Sequence, residues 1–342
     1  MKRTLGVALL GAGVVGQLRA RVIAAHPASQ LLGVADPDVG AARRAAGQAR
    51  VVADYRPLLE DPAVGAVVVA TPAPLHFSMC MDALEAGKHV LCEKPLAPSS
   101  EECRQLVDRA KALGKVLAVG FNHRYYPCIK VLKAALPSLG DVQHVRALCG
   151  HRGMSEFRAD WNYRAELSGG GAMMDLGIHL TDLVGHLFGD IVKVFGTASN
   201  RVWQIAGSED HAVAMFTTSR DIPIAYHASW AEWKGYRLIL EVYGSHGVAR
   251  AFYAPMLNMQ VRRCQGRPSY SWNLHPWVNV REKLFGWETT AQIAFAEEFQ
   301  DFIGALDGHP GACADGAAGW RAVEVARAVY ESSQTGSPVN LA

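Results

Sequence analysis

Gly11-Ala12-Gly13-Val14-Val15-Gly16 is a G-x-G-x-x-G run, and Asp36 follows Gly16 by 20 residues. Glycines at this spacing suit phosphate binding. Gly11 permits a tight turn, Gly13 lets a pyrophosphate approach the backbone, and Gly16 lets the next helix sit close. The helix amino terminus adds N–H donors and a positive dipole end. An acid at this distance accepts hydrogen bonds from ribose hydroxyls. A second group lies further along. Asp175, His179, Asp182 and His186 fall at i, i+4, i+7 and i+11, so a helix would put them on one face. Three readings compete: exposed polar positions, metal ligands, or acid/base groups. No third ligand cluster accompanies them, so no metal is expected. The Met and Leu neighbours of Asp175 and His179 point to a half-buried helix, whereas Asp182 and His186 read as structural.

The elements that must position these residues alternate in type. Residues 4–10 form a nearly continuous apolar run, as for a strand buried on both faces. Gln17, Arg19 and Arg21 then alternate with Leu18, Val22 and Ile23, which reads as an amphipathic helix with the arginines on its polar side. A strand over 31–35 ends at Asp36, and one over 66–70 ends in Thr71-Pro72-Ala73-Pro74. A helix from His76 closes at Gly87, and a strand over 90–92 leads into Glu93-Lys94-Pro95. Ser99 caps a helix to Leu113, with Glu102 placed for a capping box. The strand over 115–121 ends at Asn122. Ligands of such folds bind at the carboxyl ends of the strands. The expected cofactor contacts are therefore Gly11, Gly13, Val14, Val15, Gly16, Asp36, Thr71, Pro72, His76, Glu93, Lys94 and Asn122. A carboxylate at Asp36, followed by Pro37 and not Arg, favours NAD over NADP. Arg43 and Arg44 read as a solvated helix face.

After about residue 140 the period changes to two. Residues 211–218, 224–233 and 237–243 read as strands, with Leu238, Leu240 and Val242 on one face and a turn at Gly244-Ser245-His246-Gly247. Successive strands without intervening helices suggest an antiparallel sheet with one covered face. Ser168-Gly169-Gly170-Gly171 is expected to be a flexible start to a helix over 173–188, and further helices are expected over 290–306 and 316–332. Arg124 and Tyr125, and Trp161 and Tyr163 before the glycine run, either line a substrate pocket or pack at a domain interface. Residues 272–277 are aromatic and polar, without clear periodicity.

The 342 residues suggest two domains, and half of them are hydrophobic, which excludes disorder. The longest apolar run, 63–70, is too short for a membrane span, and a net charge of +2 argues against a nucleic-acid binder. Residues 1–150 carry a charge of +6 and the rest −4, and all eight tryptophans follow residue 160. Seven scattered cysteines without a C-x-x-C pair point to a reducing cytoplasm. Met1-Lys2-Arg3 before an apolar stretch imitates a signal peptide, but the same residues serve as the first strand and phosphate turn.

The chain resembles the Gfo/Idh/MocA family of NAD(P)-dependent sugar and polyol oxidoreductases. The resemblance rests on the glycine run, Ala70-Thr71-Pro72, Glu93-Lys94-Pro95, and Gly169-Gly170-Gly171-Ala172-Met173-Met174-Asp175-Leu176-Gly177-Ile178-His179. It implies an α/β fold: a Rossmann domain with a doubly wound parallel sheet over 1–123, and an α/β domain with an open, mostly antiparallel sheet over 124–342. The final helices are expected to pack back on the first domain, and members assemble as homodimers or homotetramers through the second sheet. The resemblance gives Lys94 contact with substrate and nicotinamide, Asp175 a substrate hydroxyl, and His179 the general acid/base role. The chemistry agrees, because a base near pKa 7 best takes the proton of an alcohol losing hydride. The implied activity is hydride transfer between NAD and a secondary hydroxyl of a sugar, sugar derivative or cyclitol. Alternatives are glycoside cleavage or internal redox with tightly bound NAD, and a non-enzymatic NAD-sensing regulator.

Overall fold

The computed structural model describes residues 4–153, 160–264 and 267–341. The chain divides into two compact units, one of residues 1–125 and 287–320, the other of residues 126–286 and 321–342.

The first unit opens with β1 (Leu5–Leu10), α1 (Val14–Ala25), β2 (Ser29–Ala35), α2 (Val39–Ala46), β3 (Arg50–Val52), the single-turn α3 (Arg56–Leu59) and β4 (Val64–Val69). It continues through α4 (His76–Glu85), β5 (His89–Glu93), α5 (Ser100–Ala112) and β6 (Leu117–Gly120). The six strands are parallel, in the order β6-β5-β4-β1-β2-β3. This is the doubly wound arrangement, with its switch point between β1 and β4. Val7 to Leu9 and Val67 to Val69 are fully enclosed. Buried parallel strands have helices on both faces, which is why these segments are apolar at every position and do not alternate. The capping box at the start of α5 forms as its sequence indicates: Ser99 accepts the Glu102 N–H, and the Glu102 carboxylate accepts the Ser99 N–H.

The second unit begins with α6 (Pro127–Ala135), β7 (Val142–Gly150), the short α7 (Ala165–Ser168), a π-turn over Met173–Gly177, and α8 (Ile178–Phe188). The strands β8 (Ile191–Ser199), β9 (His211–Thr218), β10 (Pro223–Ser229), β11 (Arg237–Gly244), β12 (Gly247–Tyr253), β13 (Leu257–Cys264) and β14 (Arg267–Asn273) follow. Next come α9 (Pro276–Phe285), α10 (Glu288–Leu306), the two-residue β15 (Ala314–Asp315), α11 (Gly316–Thr335) and β16 (Val339–Asn340). α10 and β15 belong to the first unit, where β15 adds antiparallel to β6. The second sheet runs β14-β13-β12-β11-β7-β10-β9-β8-β16, antiparallel except where β10 meets β7.

Period-two burial holds along this sheet. Leu238, Leu240 and Val242 lie inside, as do Ile224, Tyr226 and Ala228. The opposite face presents Phe195, Val213 and Met215, the last 52% exposed. The turn at Gly244 to Gly247 closes the β11–β12 hairpin, with those two glycines paired. Residues 272–277 end β14 and begin α9, and no residue of α9 is buried. A segment with no covered face has no burial period to show in its sequence. Among the described residues no helix is long and apolar enough to cross a membrane.

Candidate functional site

In the first unit the three glycines of the loop meet three different constraints. Gly11 stands at φ 93°, a left-handed conformation, and a Cβ there would strike the Ala70 backbone. A Cβ at Gly16 would run into the Gly11 carbonyl, so the start of α1 closes directly over the turn. A Cβ at Gly13 would meet nothing within 4 Å. Packing therefore requires glycine at 11 and 16, and at 13 the residue leaves open space in front of the helix. α1 has no side-chain cap and no acid in its first turn, so its leading N–H groups suit a pyrophosphate. Val14 beside them is exposed and Val15 half-buried. The residues present thus fit a dinucleotide.

Asp36 closes the same turn. Its Oδ2 accepts the Ala12 N–H at 2.7 Å and its Oδ1 accepts the Asp38 N–H at 2.8 Å. Asp38 in turn caps α2, and Arg44 lies 3.9 Å from it on an exposed face.

Thr71, half-buried, and Pro72, exposed, follow β4. His76, expected among the cofactor contacts, is held inside the unit. It is 1% exposed, with Nδ1 2.7 Å from the Pro95 carbonyl oxygen and Nε2 2.9 Å from that of Thr71. It thereby ties the turn after β4 to the turn after β5. Burial pushes its pKa below the ordinary histidine value, and the two carbonyls oppose that. Glu93 is likewise committed: its Oε1 receives Arg19 Nε–H at 2.7 Å. Lys94 next to it is half-buried, the Lys94–Pro95 peptide is cis, and Asn122 is buried at the end of β6. The neighbouring His123 is buried, which pulls its pKa down to about 3, and the Lys94 ammonium adds to this.

Arg19 departs from its sequence reading. It lies 1% exposed inside the unit, not on the polar side of α1. Its guanidinium bridges Glu93 and Glu298, each at 2.6 Å, and covers the Phe295 ring at 3.9 Å. A buried arginine needs such partners, and they come from β5 and α10, beyond the reach of any local pattern. Tyr125, a candidate for the substrate pocket, is buried with its hydroxyl donating to Asp301 Oδ2 at 2.9 Å, and Arg124 donates to the Ala312 carbonyl. Both pack this unit together.

The second unit holds Asp175 and His179. The sequence suggests one continuous helix, but Met173–Gly177 is a π-turn, so Asp175 precedes α8 in a wider coil and His179 lies in its first turn. A π-turn closes i→i+5 hydrogen bonds where an α-helix closes i→i+4, so the coil that carries Asp175 is wider than the helix that carries His179. Both side chains are largely enclosed. Asp175 Oδ2 lies 3.0 Å from His151 Nε2 and accepts the Trp230 indole N–H at 3.0 Å. Asp182 is buried on α8, and His186 meets the Lys133 ammonium at 2.9 Å.

The glycine run before Asp175 is expected to be flexible, yet it is pinned. Glu209 accepts the Gly171 N–H on Oε2 and the Met173 N–H on Oε1, each at 2.7 Å, and the Tyr330 hydroxyl at 3.0 Å. A Cβ at Gly171 would collide with the Glu209 backbone, and one at Gly170 with the Tyr330 hydroxyl. The glycines are there for close approach. Burial pushes the Glu209 carboxyl above its ordinary range, against the pull of its three donors. Trp161 and Tyr163 form a half-buried 3-10 turn, and the Tyr163 ring meets Trp230 edge-on at 5.6 Å. Neither Glu209, His151 nor Trp230 carries a spacing signal in the sequence.

Comparison with known proteins gives a consistent result. The GFO/IDH/MocA oxidoreductase family, NAD-binding Rossmann fold, matches residues 5–121, and its C-terminal domain matches residues 135–250. Inositol 2-dehydrogenase of Acidothermus cellulolyticus is 30% identical over 310 residues, covering 88% of this chain and 84% of that one. Levoglucosan dehydrogenase of Pseudarthrobacter phenanthrenivorans is 30% identical over 209 residues, 56% of this chain, and the match spans about half (53%) of that relative's length. The solved structure of a levoglucosan dehydrogenase in complex with NADH superposes with a TM-score of 0.88, at 23% identity, covering 99% of this chain and 100% of that one, and so shares the fold.

Proposed function

The chain belongs to the GFO/IDH/MocA family of NAD-binding oxidoreductases, and from this we propose that it moves a hydride between NAD and a secondary hydroxyl of a sugar, sugar derivative or cyclitol. The observation that carries the substrate half of this reading is Asp175. Its carboxylate is enclosed, accepts the Trp230 indole N–H on the oxygen that lies 3.0 Å from His151 Nε2, and directly precedes the helix of His179. A carboxylate is costly to enclose, so one kept beside a buried histidine points to chemistry.

The bound nicotinamide supplies the hydride acceptor. His179 takes the hydroxyl proton as general base and returns it in the reverse direction. The Lys94 ammonium stabilises the charge developing on that oxygen. Asp175 accepts a hydrogen bond from a substrate hydroxyl and so orients the ring. The Asp36 carboxylate favours NAD, because it would repel a 2′-phosphate. The apolar outer face of the second sheet, with Phe195, Val213 and Met215, supports assembly with a further copy of the chain through that face.

The test is turnover of a panel of inositols, aldoses and sugar phosphates, followed by NADH absorbance, with NADP in parallel. His179→Ala should lower turnover by about 10²–10⁴-fold while NAD binding persists. Turnover within about tenfold of wild type would remove His179 from the general-base role.

A further inference from the structure

His151 lies just past the end of β7 and is 3% exposed. Its two ring nitrogens face different partners. The Gly153 N–H points at Nδ1, 2.8 Å away, and Asp175 Oδ2 lies 3.0 Å from Nε2. A nitrogen that accepts an N–H carries no proton of its own, so the ring proton belongs on Nε2 and is donated to Asp175. The donor to Nδ1 is itself fixed. Gly153 stands at φ 63°, and a Cβ there would meet the Trp203 indole nitrogen and the Trp230 backbone. Only glycine fits that corner. Trp230, 1% exposed, donates its indole N–H to the same oxygen of Asp175, and its backbone carbonyl accepts the Trp203 indole N–H at 2.8 Å.

We propose that His151 is the positioning residue of Asp175: with Trp230 it fixes the rotamer of that carboxylate and presents it as a hydrogen-bond acceptor to a neutral hydroxyl of the substrate. The inference rests on the reading of Asp175 as the substrate-hydroxyl acceptor. It adds two things to it. First, His151 is excluded as a rival general base, since taking a second proton on Nδ1 would break the Gly153 bond. Acid/base work therefore stays with His179. Second, it narrows the substrate class at this point of the pocket. A carboxylate that already gathers donors recognises a further donor, an uncharged polyol hydroxyl, and repels a substrate carboxylate or phosphate placed there.

The experiment is a cycle of His151→Leu, His151→Gln, Asp175→Ala and the Leu/Ala double variant, assayed with NAD and myo-inositol. Asp175 binding acts on ground state and transition state alike, so its loss of position falls mainly on KM. His151→Leu should raise KM about tenfold or more, with a smaller change in kcat. His151→Gln, which keeps an N–H donor, should recover most of the loss. In the Asp175→Ala background, His151→Leu should add nothing further. NADH binding, followed by fluorescence titration, should be unchanged throughout. An unaltered KM in the folded Leu variant overturns the proposal. So does a full Leu effect without Asp175. A readout free of turnover accompanies these: nitrogen-15 histidine spectra of the wild type should show His151 protonated on Nε2, and that signal should move in Asp175→Ala. A proton on Nδ1 overturns the proposal. If wild type oxidises no polyol, the functional reading fails, and the spectra still decide whether His151 donates to Asp175.

Discussion

Asp36 Oδ2 accepts the Ala12 N–H at 2.7 Å, so the acid at the end of β2 is joined to the glycine turn after β1. The two halves of the dinucleotide signature are one hydrogen-bonded unit. Asp36→Ser keeps a small acceptor and removes the charge. It should raise the NADP-to-NAD ratio of kcat/KM by about tenfold or more, since a charge-assisted hydrogen bond and a repulsion are both lost. Steady-state kinetics with both cofactors checks this. Equal efficiency with both cofactors in the wild type would contradict the role of Asp36.

Gly13 and Gly16 separate binding from folding. Gly13 has φ −67° and ψ −165°, a backbone open to any L-residue, and free space where a Cβ would go. Gly13→Ala should therefore leave the melting temperature unchanged or slightly higher, through reduced freedom of the unfolded chain. Its NADH Kd should rise by about tenfold, because the added methyl occupies the approach of the pyrophosphate. Gly16→Ala drives its Cβ into the Gly11 carbonyl and should lower the melting temperature. Thermal melts with and without NADH distinguish the two.

Much of the first unit was legible because its signals are local. The glycine spacing, the acid at the end of β2 and the Ser99–Glu102 box each lie within one or two elements. Period-two burial in β11 was legible for the same reason. The supports of the site were not. Arg19 looks like any helix-surface arginine until Glu298, from a helix near the other end of the chain, is seen beside it. His151 and Glu209 reach the 171–175 segment across 24 and 38 residues with no fixed spacing. The π-turn at Met173–Gly177 escapes a periodicity reading because one wide turn inside an apolar stretch alters no pattern of residue types.

Glu209 gives a prediction about that segment. Both of its oxygens receive backbone N–H groups. Glu209→Gln replaces one acceptor by an NH₂, which would face an N–H donor with another donor. A buried unsatisfied group is worth about 1–3 kcal/mol, so the melting temperature should fall. Because the pinned segment carries Asp175, turnover should fall as well, while NADH binding, which belongs to the first unit, should hold. Glu209→Gln with wild-type stability and turnover would mean that the glycine run holds its shape without the carboxylate.

The last prediction concerns pH. In the first unit one guanidinium, Arg19, serves two carboxylates, Glu93 and Glu298. Burial pushes the Glu298 carboxyl up to about 7 from an ordinary value of 4.5. Arg19 opposes this, and the Glu93 charge reinforces it. A group whose pKa is raised on folding holds its proton more tightly in the folded state. Its contribution to stability is full below the unfolded pKa and is lost as pH rises through the folded one. For Glu298 that window runs from about pH 4.5 to about 7. Thermal melts across this window should show a loss of stability with rising pH that Glu298→Gln removes, because the amide keeps the shape without the ionisation. Wild type and Glu298→Gln should diverge most at the alkaline end, where wild type must accommodate a second charge beside one arginine. Parallel stability profiles for the two proteins across that range would show that Glu298 is already ionised at its lower end, with Arg19 outweighing burial.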